Sequence, residues 1–276
     1  MHYWRALLPL GLAAATAAAA LAPTFGLPAP DSRRGLALLE SFKDSLPRYA
    51  GNALRCTSCH LDAGRRGTAM SWIDVTSRYP KYRARRGAIE TIEQRVNECI
   101  ARSLAGRMLP EDQSAMRDMV AYLETLKGMP VPARPDTVRL VGDTLTGAVA
   151  YTANCARCHG ARGTGAVAPA IVGRNAYSIG AGMARQNVLA TFLRWNMPHD
   201  QPGTLSAQNA ADIAAWVLRQ PRPDHPGKER DWPRGDPPAD VAYATDGARA
   251  RGLPLPIARP LLRRRVSPGG PAGAAH

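Results

Sequence analysis

The chain has 276 residues, a formal net charge of +14, and aromatic side chains at only 6% of its positions. This length allows one or two domains. Beyond the first two dozen residues no apolar run approaches the ~20 residues that cross a bilayer, which excludes a later membrane span. The charge points to an anionic partner: a small anion, an acidic redox protein or an anionic membrane surface.

Residues 1–23 read as a secretory signal peptide, with Arg5 ahead of an alanine-rich apolar run from Leu7 to Leu21. No Arg-Arg pair precedes the run and no cysteine closely follows it, so the segment predicts Sec export to the periplasm without lipidation. Only if it stayed uncleaved would it hold the chain at a membrane surface. In an exported protein, nucleic acid is not the partner that the positive charge awaits.

A helix is expected from Arg34 to Ser45, followed by Cys56-Thr57-Ser58-Cys59-His60. A second run of the same form is Cys155-Ala156-Arg157-Cys158-His159. Cys-x-x-Cys-His is the attachment sequence of c-type haem: the two thiols form thioethers with the porphyrin, and the histidine ligates iron. Zinc ribbons set their cysteine pairs ~15–20 residues apart, whereas these pairs are 99 apart and each ends in histidine. The runs predict two covalently bound haem c groups, with Cys56, Cys59, Cys155 and Cys158 as attachment points and His60 and His159 as iron ligands. Two macrocycles would also supply the apolar bulk that the few aromatics leave missing. Export agrees, since c-type haem is attached outside the cytoplasm.

Between the runs lies Lys81-Tyr82-Arg83-Ala84-Arg85-Arg86, which reads either as a solvated patch or as part of an anion pocket. Next, Ile89, Ile92, Val96, Ile100 and Leu104 recur at helical spacing and predict an apolar stripe. Cys99 and Ser103 share one face beside it, with Arg95 and Arg102 flanking. A closing helix is expected from Glu111 to Lys127, with Met116, Met119, Val120 and Leu123 inward and Gly128 and Pro130 as stops. Residues 129–146 carry prolines and few core residues and read as a linker.

A second copy of the unit follows. Gly147 to Tyr151 leads by helical spacing into the second Cys-x-x-Cys-His. A glycine-rich loop, Trp195-Asn196-Met197-Pro198, and a helix from Ser206 to Arg219 come next. That is the order of elements in a class I cytochrome c domain, whose distal iron ligand is a loop methionine. Met197 takes that place, with Met183 as its rival; His199 and His225 read as exposed. The expected fold is all-α: two tandem class I cytochrome c domains, 30–128 and 147–245, each wrapped around one haem. Asp231-Trp232-Pro233 and Tyr243 are expected to pin the following segment onto domain two, and 246–276 to form a disordered basic tail.

Register exposes an asymmetry. Met197 lies 38 positions after His159, and Cys99, the cysteine outside both motifs, lies 39 after His60. Cys99 therefore falls where the repeat places its distal ligand, with Met108 as the rival. A thiolate lowers haem potential and a methionine raises it; a thiolate released from iron is also a nucleophile. His60/Cys99 and His159/Met197 would form a directed pair, the first suited to chemistry and the second to passing electrons.

The runs Cys56–Gly64 (CTSCHLDAG), Tyr79–Arg86 (YPKYRARR), Arg95–Ser103 (RVNECIARS), Gly180–Met183 and Asn196-Met197-Pro198 resemble the dihaem thiosulfate dehydrogenases, the tetrathionate-forming cytochromes. The likeness spans residues 34 to 245. It implies conversion of two thiosulfates to tetrathionate and two electrons at haem 1. Cys99 would hold a thiosulfate sulfur transiently, and Ser103, Arg83, Arg85 and Arg102 would orient the anions. Haem 2 would deliver electrons to an external acceptor such as a small cytochrome c or a high-potential redox protein. Where some relatives carry lysine before the haem 2 methionine, this chain has Asn196, which implies stable His159/Met197 ligation. The alternatives are a plain dihaem electron carrier, a haem subunit of a thiosulfate-oxidising multienzyme complex, or the same chemistry run toward tetrathionate reduction.

Overall fold

A computed structural model describes residues 28–257 and 259–262. The expected signal segment, 1–23, and the end of the basic tail, 263–276, lie outside the described residues. Among the described residues no helix is long and apolar enough to cross a membrane.

The first unit opens with α1 (Ser32–Glu40), started by Asp31, whose carboxylate accepts the Arg33 and Arg34 backbone N–H groups. The expected single helix to Ser45 is broken: Ser41 leaves helical geometry, its hydroxyl donates to the Ala37 carbonyl, and α2 (Phe42–Ser45) follows. Phe42 is thereby turned fully into the core. A hairpin of β1 (Lys81–Arg83) and β2 (Ala88–Glu90) precedes α3 (Ile92–Arg102). Ile89 lies on β2 and is 69% exposed, so the apolar stripe is shorter than its spacing predicts. Thr91 and Gln94 cap α3 reciprocally. The closing helix is α4 (Ser114–Glu124), which buries Met116, Met119 and Leu123; each such side chain stabilises by about 1.5–3 kcal/mol.

α1 and α4 meet backbone to backbone. A Cβ on Gly35 would lie 2.0 Å from the Asp118 carbonyl oxygen. Asp118 in turn accepts the Asp31 N–H at 2.7 Å and pairs with Arg34 at 2.9 Å.

The second unit repeats this device. It contains α5 (Thr144–Asn154), α6 (Ala156–His159), α7 (Gln186–Asn196) and α8 (Ala207–Arg219). Asp143 caps α5 and donates its own N–H to Asp212 on α8 at 2.8 Å. A Cβ on Gly147 would lie 2.0 Å from the Asp212 carbonyl oxygen. Ile213, Val217 and Leu218 fill the core beneath. The expected linker lies along α7: Val138 is buried, its N–H bonds the Thr191 hydroxyl, and the Trp195 indole donates to the Asp136 carbonyl.

Two expectations about the C-terminal part are corrected. Asp231 and Trp232 reach domain one as well as domain two: Asp231 pairs with Arg102, and the Trp232 N–H bonds the Arg85 carbonyl. The tail beyond 246 is ordered for a further stretch. Thr245 caps α9 (Asp246–Ala250), and β3 (Arg222–Pro223) pairs in parallel with β4 (Leu261–Leu262). Apolar content holds the segment: Trp232, Val241, Ala242 and Tyr243 form a small core with Ile179, and beyond it Ala248 of α9 is buried.

Candidate active site

A cavity of about 630 Å³ opens in the first unit, within the ~300–1,000 Å³ range of cofactor pockets. Cys56, Cys59 and His60 line it, and α3 contributes Val96, Cys99 and Ser103. Leu39, Leu54, Trp72 and Leu123 supply apolar lining; Met183, Val188 and Phe192 of the second unit close it from beyond.

His60 is held in one orientation. Its Nδ1 lies 2.6 Å from the Met70 carbonyl oxygen, and its ring stacks on Trp72 at 4.7 Å. With Nδ1 so engaged, Nε2 is the nitrogen left for a metal. Trp72 needs Gly64, where a Cβ would stand 2.1 Å from the indole and φ is +80°. Burial pushes the His60 imidazolium down to about 4, so the ring is neutral, the ligating form. Burial, with added repulsion from the Cys99 sulfur, raises the Cys56 and Cys59 thiols to about 12. Two thiols, an oriented neutral imidazole and an apolar pocket of this size fit a covalently attached haem.

The charges on the walls are one-sided. Arg55, Arg78, Lys81, Arg95, Arg134, Arg139 and Arg185 line the cavity, and among the described residues no Asp or Glu does. Arg185 pairs with Asp240 at 2.6 Å; among the described residues the other six form no ion pair. Arg95 sits one turn before Cys99, and attraction to that sulfur, against burial, raises its pKa. Burial, then repulsion from Arg83, Arg78, Arg95 and Arg134, lowers that of Lys81. The arrangement is a small basin of positive charge beside a thiol, with Glu90 and Glu98 the carboxylates acting on Arg95 from outside the lining.

Ser103 joins Cys99 in the lining, as the sequence suggests, but the three arginines expected to orient anions do not. Arg83 pairs with the buried Glu90 at 3.3 Å. Arg85 donates to the Gly180 carbonyl at 2.8 Å and lies over the Trp232 ring at 4.6 Å. Arg102 is buried between Glu98, at 2.5 Å, and Asp231, at 2.8 Å. Burial opposes its charge, but the bonds to Asp231 and Glu98 raise its pKa all the same. Their guanidiniums are already occupied by protein acceptors. Arg78, Arg134 and Arg139 take their place. The latter two sit in the Pro-rich connection, where spacing carries no sign of a site.

The second site follows the same plan. His159 Nδ1 lies 2.7 Å from the Pro169 carbonyl, again ten positions on. Tyr151 is buried, donates to the Gly160 carbonyl at 2.7 Å and stacks on Trp216. Burial raises the Cys155 thiol to about 11. Met197 caps α7, its N–H on the Leu193 carbonyl, and packs partly buried against the core. Met183, the rival of Met197, lines the first cavity. Met108 is 61% exposed and outside the cavity lining. His199 is exposed as expected, but His225 is half-buried against Gly180.

Sequence families match both halves. Residues 47–131 match the family model "SoxA/TsdA, cytochrome c domain", and residues 142–217 match "Cytochrome C oxidase, cbb3-type, subunit III". The thiosulfate dehydrogenase of Psychrobacter arcticus is 40% identical over 224 residues, 76% of this chain and 68% of that protein. That of Allochromatium vinosum is 36% identical over 209 residues, 69% of this chain and 77% of that protein. Among solved structures, thiosulfate dehydrogenase TsdBA of Marichromatium purpuratum in its as-isolated form superposes with a TM-score of 0.65 at 28% identity. The match covers 71% of this chain, which spans 47% of that longer one.

Proposed function

Because the chain belongs to the thiosulfate dehydrogenase family and carries two cytochrome c domains, each with a covalently bound haem c, we propose that it oxidises two thiosulfate ions to tetrathionate in the cavity beside Cys99. The observation that carries this reading is that basin: a thiol, a hydroxyl and six cations that, among the described residues, form no ion pair and share the lining with no carboxylate.

Charge explains why such a basin is needed. Bringing two dianions together sets four unit-charge pairs against one another, about 4–16 kcal/mol of repulsion at ~4 Å between water and an effective dielectric of 20. Arg95 and Lys81, with Arg78, Arg134 and Arg139 around them, offset it and hold the outer sulfonates. Ser103, four positions after Cys99, donates its hydroxyl to the same anion.

The sulfur chemistry balances through Cys99. Its thiolate forms a bond to the terminal sulfur of one thiosulfate, giving a cysteine S-thiosulfonate (Cys99–S–S–SO3⁻) and releasing two electrons. The terminal sulfur of a second thiosulfate attacks that bound sulfur. The sulfur–sulfur bond to Cys99 breaks, tetrathionate leaves, and the thiolate returns. When bound, the two haems supply the one-electron acceptors for the pair of electrons. His60 with Cys99, and His159 with Met197, are the iron ligands in this reading. An external acceptor takes the electrons from the second site. Export, on the reading of residues 1–23, places the reaction in the periplasm.

The test is the visible spectrum of the oxidised holoprotein on adding thiosulfate, with tetrathionate assayed alongside. Reduction together with tetrathionate is expected. Cys99→Ala should keep both haems and lose product; retained turnover would remove Cys99 from the chemistry. Haems that stay oxidised with thiosulfate yet reduce with dithionite would favour an electron carrier or a subunit awaiting its partner.

A further inference from the structure

The two metal-binding loops touch through one buried amide. Asn196, the residue before Met197, has no exposure to solvent. Its Oδ1 accepts the Thr68 hydroxyl at 2.8 Å, and its Nδ2 donates to the Thr68 carbonyl at 3.0 Å and to the Phe192 carbonyl at 3.1 Å. Both amide hydrogens and the carbonyl are therefore in use. Thr68 lies two positions before Met70, whose carbonyl holds His60 Nδ1.

We propose that Thr68 and Asn196 form a positioning bridge, through which the proximal loop of the first haem fixes the seat of the Met197 sulfur in the second domain. This rests on the reading of Met197 as an iron ligand. The physical reasons are rigidity and burial. Met197 leaves α7 in an extended conformation, tied back by its own N–H to Leu193. The amide just before it is the last group gripped from both sides. Without Thr68, Oδ1 stays buried with no donor, and that cost falls on the conformer in which the loop is docked. Movement at Met70 or His60 is correspondingly felt two residues away, at the bridge.

The experiment is an imidazole titration of the oxidised dihaem protein, followed by loss of the methionine-to-iron charge-transfer band. Imidazole competes with Met197, so its apparent affinity scales with the fraction of sulfur off the iron. Thr68→Val and Asn196→Leu are each expected to raise that affinity about five- to tenfold. The double variant should be no worse than the stronger single one, and Thr68→Ser should restore wild-type behaviour. A purely structural role would lower the melting temperature without moving the titration. Wild-type imidazole affinity in Thr68→Val, or additive effects in the double variant, would overturn the bridge. A wild-type protein without the band would instead overturn the ligand assignment and not the bridge alone.

Discussion

The two domains share a frame and differ in what surrounds it. Each has an aspartate-capped first helix crossing the last helix at a glycine, and each holds its histidine by a carbonyl ten residues on. In domain one the chain then adds a hairpin, a cysteine-bearing helix and a basin of cations. Domain two instead has a methionine at the end of α7. A scaffold that fixes an imidazole would hold a haem iron whichever other residue the domain offers it. The departures from the repeat are thus where the function of each copy lies.

Exchanging the distal residue breaks the contrast most severely. Cys99→Met gives domain one the donor set read for domain two. It is expected to raise the potential of the first haem by a few tenths of a volt, within the ~0.8 V that axial ligands span, and to abolish tetrathionate formation. Spectroelectrochemistry with a product assay checks both.

Ion pairs distinguish the domains next. Arg102→Ala leaves Asp231 buried without its guanidinium, at an expected cost of about 3–5 kcal/mol. Arg157→Ala in domain two removes a pair about half exposed on both sides and should leave stability nearly unchanged. Denaturant unfolding of the two holoproteins compares them.

Within domain one, Arg95→Gln should lower kcat/KM for thiosulfate about ten- to hundredfold, the range of a lost charged hydrogen bond. Arg83→Gln, whose parent guanidinium faces Glu90, should change stability and leave KM nearly unmoved. Steady-state kinetics on both variants sharpen the line between the basin and the cations outside it.

The smallest effect concerns pH. Burial and neighbouring cations hold Lys81 below the ordinary lysine value of 10.5. Its charge is therefore lost earlier than a free lysine's as pH rises. Affinity for a dianion should fall on that alkaline limb, about two- to fivefold for a charge lost from a screened site. Lys81→Gln should flatten the limb and start from the lower value, as a pH profile of kcat/KM would show.

Much of this was legible in the residues. The Cys-x-x-Cys-His runs, their register and the helices around them follow from spacing and capping, and the helices appear within a few residues. Cys99 and Ser103 on one face of α3 follow from the four-residue period alone. Arg95, one turn before Cys99, follows too, but the other arginines do not. Arg83, Arg85 and Arg102 resemble an anion-binding set around Cys99, but Glu90, Gly180 and Asp231 claim them. Asp231 is 129 positions from Arg102, and no local pattern links the two. Arg134 and Arg139 fail to stand out for the converse reason: a proline-rich connection looks like a spacer until its path across a cavity is known.

That path and the Asp231 contact carry a consequence for how the chain can be cut. A fragment ending at Lys127 would keep Cys56, Cys59, His60 and Cys99 yet lack the wall formed by Arg134, Arg139, Met183 and Phe192. Trimming after α8 would keep every proposed iron ligand and still unclamp Arg102, and with it the end of the helix that presents Cys99. The stretch around Asp231 thus braces from outside the helix that presents Cys99, and a cut there is expected to loosen that helix while leaving both Cys-x-x-Cys-His runs in the chain.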